Sequence, residues 1–278
     1  MSKVIERKPV DDRRSSRGHS STPSSQTLRI GTAGWNVPAF LSDTFPAGGS
    51  HLERYATRMN CVEINTSFYR PHQPKTYARW ARSTPKQFRF SVKLPQAVSH
   101  AEALHFEKAH LAQFFQEVIG LGEKLGVILV QFPPSLEFNR TRATALFDRI
   151  RHHTSVPVAC EPRHESWFTE NVDRWMAERE IARVAADPAR IAAADEPGGW
   201  RGFSYLRLHG SPRLYYSNYD EAALDACASR IGTLVRNGSV WCIFDNTAAG
   251  AALGNALALE ERLRPLYQVV QDGRPARL

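Results

Sequence analysis

Short apolar segments alternate with longer amphipathic segments along most of this 278-residue sequence. The apolar segments are typical of β-strands and cover residues 28–32, 61–64, 88–93, 126–132, 156–161, 181–186, 202–209 and 239–245. Helix patterns follow most of them, at residues 51–59, 75–82, 106–121, 141–152, 171–178, 220–235 and 249–262. Residues 187–202 are the exception, because they are rich in Ala, Gly and Pro and lack an amphipathic period.

Eight strands alternating with helices over about 250 residues predict an α/β fold, namely a TIM-type (β/α)8 barrel that forms a single domain. The competing architecture is an open doubly wound sheet, which usually has a GxGxxG phosphate loop after its first strand. Gly31 and Gly34 follow the first strand without that spacing. The glycine spacing therefore favours the barrel.

The two ends of the chain differ in composition from its body. The first 26 residues are rich in Ser, Arg and Pro and nearly free of aromatic residues, which predicts disorder. We therefore predict a disordered basic tail over residues 1–27, the barrel domain over residues 28–265 and a C-terminal tail over residues 266–278. The net charge of +8 suits an anionic ligand or nucleic acid.

Several classes of protein are disfavoured by the sequence. It has no run of about 18 apolar residues and no secretory signal pattern, so no membrane association is expected. Its four cysteines lie far apart, which predicts free thiols in a reducing cytoplasm. There is no nucleotide-cofactor motif, P-loop or HExxH motif. The cofactor is therefore unknown, a divalent metal stays open, and the oligomeric state is not indicated.

In a barrel, the active site lies at the carboxyl ends of the strands, and most strands here end in ionisable or amide residues. The candidate catalytic residues at these ends are Glu63, Glu161, Asp187, His209 and Asp245. The candidate substrate-binding residues are Trp35, Asn65, Tyr69, Lys93, Gln131, Arg163, Arg207, Arg213 and Asn246. Carboxylates at such ends can act as general acid and base or ligate a hard metal, and the cations can bind phosphate or carboxylate. Some of these charges can instead neutralise one another, and Glu161 with Arg163 on one strand face is the clearest case.

Seven motifs together resemble the YecE-like family, known as domain of unknown function 72. They are GTAGW at 31–35, VEINTSFYR at 62–70, FSVKLP at 90–95, QFPPS at 131–135, EPRHESW at 161–167, YLRLHG at 205–210 and FDNT at 244–247. The resemblance spans roughly residues 28–262 and implies a TIM barrel, but it implies no established reaction. A relation of such folds to endonuclease IV-like barrels has been suggested. Those enzymes hold a zinc cluster with several histidines, which this chain lacks at its strand ends, so no residue is carried over.

Three functions fit these observations. The first is an enzyme, a hydrolase, lyase or isomerase, in which His209 and carboxylates move protons on a small phosphorylated or sugar-like anion. The second is a nucleic-acid-binding protein or metal-assisted, endonuclease IV-like phosphodiesterase. The third is a non-catalytic ligand-binding or partner protein. Barrels support many chemistries, so the fold alone does not choose among them.

Overall fold

The computed structural model of the chain describes residues 27–271, with side chains to residue 266. Its strands are β1 (Leu28–Thr32), β2 (Cys61–Ile64), β3 (Arg89–Lys93), β4 (Leu125–Gln131), β5 (Val158–Glu161), β6 (Ile181–Arg183), β7 (Ala185–Asp187), β8 (Gly198–Gly199), β9 (Phe203–Leu208) and β10 (Ser239–Phe244). Its helices are α1 (His51–Tyr55), α2 (Thr66–Tyr69), α3 (Pro74–Arg82), α4 (Gln96–Ser99), α5 (Lys108–Val118), α6 (Arg140–His153), α7 (Glu170–Glu178), α8 (Glu221–Leu234) and α9 (Ala251–Gln271). This is an α/β fold, as predicted.

The strands form two sheets that are parallel almost throughout. One sheet has the order β1-β10-β9-β7, and the other has the order β2-β3-β4-β5-β6-β8. Among the described pairings only β6 with β8 is antiparallel. Parallel strands need a crossover between them, and the helices between successive strands supply it. Parallel sheets are covered on both faces, which explains why strands such as β2 and β9 are buried along their whole length.

The two sheets approach each other at two places. At the first, Ala33 forms a parallel bridge to Glu63, and the Gly34 N–H donates to the Glu63 carbonyl at 2.9 Å. At the second, β6 and β7 follow one another along the chain with only Val184 between them, and the Val184 N–H donates to Cys160. The strand predicted over residues 181–186 is thus divided, because its first half pairs with β5 and its second half pairs with β9.

The structure contains short elements and a helix extension that the sequence patterns did not predict. Residues 187–202, which have no helix pattern, contain a 3-10 turn at Ala192–Ala194 and the two-residue strand β8. Helix α9 continues to Gln271, so the first six residues of the predicted C-terminal tail are helical. The helix continues because Leu259, Leu263 and Leu266 keep the helical period and pack against the core. The predicted N-terminal tail lies outside the described residues except for residue 27, as do residues 272–278.

Helix starts follow from local capping. At α1, the Ser50 hydroxyl accepts from the Glu53 N–H while the Glu53 carboxylate accepts from the Ser50 N–H. The side chains of Asn139, Thr169 and Asp220 accept from backbone N–H groups in the same way at α6, α7 and α8. These caps satisfy N–H groups that have no partner inside the helix, which fixes where each crossover helix begins.

Two apolar clusters support the sheets. The larger one lies between the strands and the helices. The smaller one consists of side chains on the opposite strand faces, and its buried members are Cys61, Val127, Leu129, Ala159, Ala182, Val184, Phe203, Tyr205, Trp241 and Ile243. We call this smaller set the inner cluster. No helix in the described part of the chain is long and apolar enough to cross a membrane.

We predict that Gly31→Ala is strongly destabilising, because it affects the contact between β1 and β2. A Cβ at this position would lie 2.3 Å from the Cys61 carbonyl oxygen, and backbone cannot move aside as a side chain can. We expect the free energy of unfolding to fall by about 3 kcal/mol. The melting temperature should fall by roughly 6–12 °C.

Gly48→Ala is the matched control, since a Cβ at Gly48 has no atom within 4 Å. Thermal unfolding of both variants should separate them clearly. Equal melting temperatures would show that β1 does not approach β2 this closely.

Candidate functional site

A layer of polar side chains lies directly after the inner cluster on the same strand faces. Strand side chains alternate between faces with a period of two residues. Members of the inner cluster are therefore followed two residues later by residues that share their face. The resulting pairs are Cys61 with Glu63, Leu129 with Gln131, Ala159 with Glu161, Tyr205 with Arg207 and Ile243 with Asp245. Five of the predicted strand-end residues thus share one end of the sheets, and all five are buried.

Arg207 lies at the centre of this layer and is fully buried. Its Nη2 donates to Glu63 Oε1 at 2.6 Å and to Asp245 Oδ2 at 3.0 Å, and its Nη1 donates to Glu161 Oε2 at 2.6 Å. Its Nε donates to Glu63 Oε2 at 3.1 Å. A guanidinium has five donors in a fixed fork, which suits several carboxylates at once. We call Arg207 with Glu63, Glu161 and Asp245 the arginine cluster.

The charges of this cluster depend on one another. Burial by itself would lower the pKa of Arg207, but the three carboxylates outweigh it and raise the pKa well above the usual range. Burial would likewise raise the pKa of Glu161, and the positive charge of Arg207 is the main reason that the pKa lies well below 4.5. Asp245 follows the same pattern, since Arg207 holds its pKa below 3.8 against the effect of burial. Arg207, Glu161 and Asp245 are therefore ionised at neutral pH.

Gln131 brings two further cations beside the cluster. Its Oε1 accepts from Lys93 Nζ at 2.9 Å and from Arg163 Nη2 at 3.2 Å. Arg163 also bonds to Glu161 Oε1 through Nε at 2.8 Å, which confirms the predicted salt bridge. Burial, followed by the charge of Arg207, lowers the pKa of Lys93 to about 8. Lys93 therefore gains or loses its charge near neutral pH, whereas Arg163 keeps its charge.

His209 has one ring nitrogen bonded and the other without a partner. Its Nδ1 lies 3.1 Å from Asp245 Oδ2, and its Nε2 lies 3.7 Å from Glu161 Oε1, beyond hydrogen-bond distance. Nε2 is buried and has no hydrogen-bond partner among residues 27–266. Burial and Arg207 would lower the pKa of His209, but the carboxylates of Asp245 and Glu161 outweigh them and raise it.

A small cavity of about 120 Å³ lies beside His209. Its polar side is formed by Glu161, Arg163, Arg190 and His209. Its apolar surface includes Val184, Ala186 and Ile191. A water molecule occupies about 30 Å³ in the liquid, so this space matches a group of a few heavy atoms, such as a carboxylate or phosphate. His209, whose Nε2 has no partner among the described residues, is one of the lining residues.

Comparison with known proteins shows the family. The family described as "Protein of unknown function DUF72" matches residues 29–277 of the chain. The chain belongs to the DUF72 family. The resemblance found from the strand-end motifs is thereby confirmed, and the family description names no reaction.

Relatives and solved structures of DUF72 proteins agree with this assignment. UPF0759 protein YecE of Escherichia coli K12 is 29% identical over 176 residues, which are 60% of this chain and 61% of that protein. The match thus spans about three fifths of that relative. UPF0759 protein YunF of Bacillus subtilis is 23% identical and covers 85% of this chain and 94% of its own.

Crystal structures of two DUF72 family proteins share the fold. The Enterococcus faecalis protein has a TM-score of 0.72 at 21% identity, covering 86% of this chain and 96% of its own. The Thermotoga maritima protein has a TM-score of 0.70 at 24% identity, covering 86% of this chain and all of its own.

Some predicted site residues lie away from the arginine cluster. The Asp187 carboxylate accepts from the Tyr219 hydroxyl instead. Trp35 packs edge-on against Trp80 at 5.0 Å, and Arg213 is exposed over the ring of Tyr216 at 4.0 Å. These contacts show why a strand-end position alone does not bring a side chain to the cluster.

The remaining predicted residues differ in how deeply they are buried. Asn246 is buried, and its amide donates to the Ser217 carbonyl and to Asn255. Tyr69 is 78% exposed, and Asn65 is half-buried with an Oδ1 that has no partner among the described residues. Asn246 thus fastens a loop, while Tyr69 lies at the surface.

Sequence reasoning missed Tyr205, Tyr219 and Arg190 in this region. Tyr205 donates to Glu63 Oε2 at 2.8 Å and contacts the Ser91 hydroxyl at 2.9 Å. The signal for Tyr205 was available, because it precedes Arg207 by two residues on the same strand face. Tyr219 and Arg190 lie in loops without periodicity, so no sequence pattern locates them.

The arginine cluster also bears on metal binding. In the part of the chain that the structure describes, no group of three or more His, Cys, Asp and Glu side chains could hold a metal ion. The carboxylates of Glu63, Glu161 and Asp245 do converge, but each of them bonds to the guanidinium of Arg207. Arg207 is therefore the cation that these three oxygen ligands surround.

We predict that Arg207→Met lowers the free energy of unfolding at pH 7 by about 3–5 kcal/mol, because it leaves buried carboxylates without a counter-charge. The pKa values of Glu161 and Asp245 are depressed, so their stabilising effect is present above the unfolded values and is lost as the pH falls through the folded ones. The difference between wild type and variant should therefore shrink below pH 4.5. Urea unfolding across pH measures both effects.

Arg213→Met serves as the control, since Arg213 is exposed and its guanidinium lies over the Tyr216 ring. Arg207→Lys keeps the charge without the planar fork and should fall between the two variants. An Arg207→Met variant as stable as Arg213→Met would contradict a central role for the guanidinium.

Proposed function

We propose that this protein is an enzyme acting on a small anionic substrate, with a carboxylate or phosphate group bound in the cavity beside His209. The observation that carries the proposal is the buried Nε2 of His209, which has no partner among the described residues while Nδ1 is held by Asp245. A buried polar atom of this kind needs a partner, and a ligand in the cavity supplies one. The cavity holds only a small group, which limits the anionic part of the substrate.

The charges support an anion rather than a cation. The three carboxylates bond to Arg207, and Arg163 and Lys93 lie in the same layer, so three cationic side chains accompany three acidic ones. Arg163 has donors beyond its bonds to Glu161 and Gln131, and Arg190 lines the same cavity from its exposed side. Two guanidinium groups at one cavity favour carboxylate or phosphate.

Proton transfer is assigned to His209. With Nδ1–H donating to Asp245, the neutral ring presents the Nε2 lone pair to the cavity and can accept a proton from a substrate. The Asp245 carboxylate fixes the tautomer and stabilises the imidazolium that forms. The protonated ring can return that proton to a leaving atom. Asp245 is thus a positioning residue, and His209 is the catalytic one.

We also propose that the two sheets join into a single (β/α)8 barrel over residues 28–265. The Ala33–Glu63 bridge and the continuous chain from β6 to β7 support closure at both ends of the sheets. In such a barrel the cavity would lie at the carboxyl ends of the strands, where barrel enzymes bind substrates. The free cysteines support the cytoplasm as its location.

Anion binding tests the proposed cavity. We expect inorganic phosphate or acetate to bind to the wild type, and Arg163→Met to weaken that affinity by at least about tenfold, since charged hydrogen bonds are lost. Arg213→Met removes an exposed cation outside the cavity and should leave affinity unchanged. Isothermal titration at low salt measures both. Failure of both anions to bind at low salt, or equal losses in the two variants, would rule out this cavity.

The pH dependence of anion binding identifies the groups involved. His209 is protonated below its raised pKa, so anion affinity should fall as the pH rises through a value above 6.5. A second decrease is expected near pH 8, where Lys93 loses its charge. His209→Gln should remove the first decrease, and Lys93→Met the second.

Turnover depends on the same histidine. Once a substrate is found among small phosphate esters and carboxylates, His209→Gln should abolish its turnover and retain anion binding above pH 8. Turnover that survives this substitution would refute the assignment of His209 as the catalytic residue.

A further inference from the structure

A second and larger cavity lies outside the arginine cluster. It is a groove of about 640 Å³ between helix α5 and the loops that follow β2 and β3. Its volume lies within the range typical of small-molecule sites. None of the arginine-cluster residues lines it. We call it the α5 groove.

Glu117 gives the α5 groove a negative charge. Its side chain lines the groove although the residue is only 9% exposed. Gln113 Nε2 donates to Oε1 at 2.8 Å, and the His72 N–H donates to Oε2 at 3.2 Å. Both donors are neutral, and among the described residues no Lys or Arg side chain forms an ion pair with Glu117. Buried carboxylates are normally paired with a cation, so Glu117 is unusual.

A buried hydroxyl lies in the field of the same carboxylate. Tyr77 is fully buried, and its Oη has no hydrogen-bond partner in the described part of the chain. Burial and the charge of Glu117 raise the pKa of Tyr77. Tyr77 does not line the α5 groove, so its raised pKa reflects burial and the field of Glu117 and not a contact with the groove.

The remaining walls suit a cation. Phe68, Tyr69 and Phe114 line the groove, and aromatic faces attract ammonium groups. Burial lowers the pKa of His100, which lines the groove, and the pKa of His72, whose N–H bonds to Glu117, so both rings are neutral at pH 7. The cation that lines the groove, Arg70, is exposed to solvent.

We propose that the α5 groove binds a small organic cation, a primary ammonium attached to an apolar or aromatic group, with Glu117 as its counter-ion. The ammonium donates to the Glu117 carboxylate, and the apolar group lies against Phe68, Tyr69 and Phe114. This site goes beyond the proposed anion-binding cavity and does not depend on it, because the two share no lining residue. The ligand proposed for the α5 groove is a cation, whereas the ligand proposed for the cavity beside His209 is an anion.

Three probes of equal size test the charge assignment on the full chain. Benzylamine is the cation, benzyl alcohol the neutral analogue and benzoate the anion. We expect benzylamine to bind at least about tenfold more tightly than benzyl alcohol in titrations followed by NMR, as a charged hydrogen bond predicts. In spectra of isotopically labelled histidine, benzylamine should shift the His72 and His100 signals, whereas phosphate should shift that of His209.

Variants locate the counter-ion. Glu117→Gln preserves size and should reduce benzylamine affinity to that of benzyl alcohol, whereas Glu123→Gln, at an exposed position after α5, should leave it unchanged. Benzoate binding as tightly as benzylamine, benzylamine affinity unaffected by Glu117→Gln, or no benzylamine binding would each overturn the proposal. None of these outcomes bears on the separate test of phosphate binding at His209.

Discussion

The guanidinium of Arg207 holds together carboxylates that come from three other strands. Glu63 lies on β2, Glu161 on β5 and Asp245 directly follows β10, while Arg207 itself lies on β9. The bonds to Glu63 and Glu161 therefore join the two sheets through buried charges. Removing such charges from water is costly, and apolar residues of similar volume often give equal or greater stability. We therefore infer that the cluster mainly orients its side chains and sets the local charge. It adds little net stability when all partners are present, but loss of one partner is strongly destabilising.

The arginine cluster influences the hydrogen bonds and charges of Arg163, Lys93 and His209 beside it. Arg207 shares Glu161 with Arg163, Lys93 donates to Gln131, and one ring nitrogen of His209 has no partner among the described residues. The same carboxylates also raise the pKa of His209 against its burial. A layer that the sequence presents as separate acids and bases is thus one hydrogen-bonded and electrostatically coupled unit.

Much of this arrangement follows from the sequence, because period-two alternation and the carboxyl ends of parallel strands are local features. They place Glu63, Glu161, Arg207 and Asp245 in one layer before any contact is known. The pairing within that layer is not local, since Arg207 and Glu63 are 144 residues apart. For this reason Arg207 was predicted as a substrate-binding residue, whereas the structure surrounds it with carboxylates. Asp187 shows the same limit, because its partner Tyr219 lies in an aperiodic loop.

The α5 groove shows a second limit of sequence patterns. Glu117 occupies a position on an amphipathic helix at which a carboxylate is ordinary, and only the packing of α5 against the loops after β2 and β3 makes it buried. The division of the strand at Val184 has a similar origin, because it depends on which neighbours the two halves find. Features that depend on packing between distant segments therefore require the structure, even where the elements themselves are predictable.

Phe68 lines the α5 groove and also contacts Lys93, which belongs to the polar layer. Its ring has the Lys93 ammonium 4.2 Å from its centroid and the His100 ring 4.9 Å away, and it also lines the α5 groove. A cation in the groove would therefore lie on a ring that already attracts Lys93, and the two positive charges repel each other. An anion in the cavity would offset part of the positive field of Lys93 and Arg163, which also reaches His100. Because binding free energies are reciprocal, each ligand should favour the other, so that an anion and an ammonium cation bind as a cooperative pair.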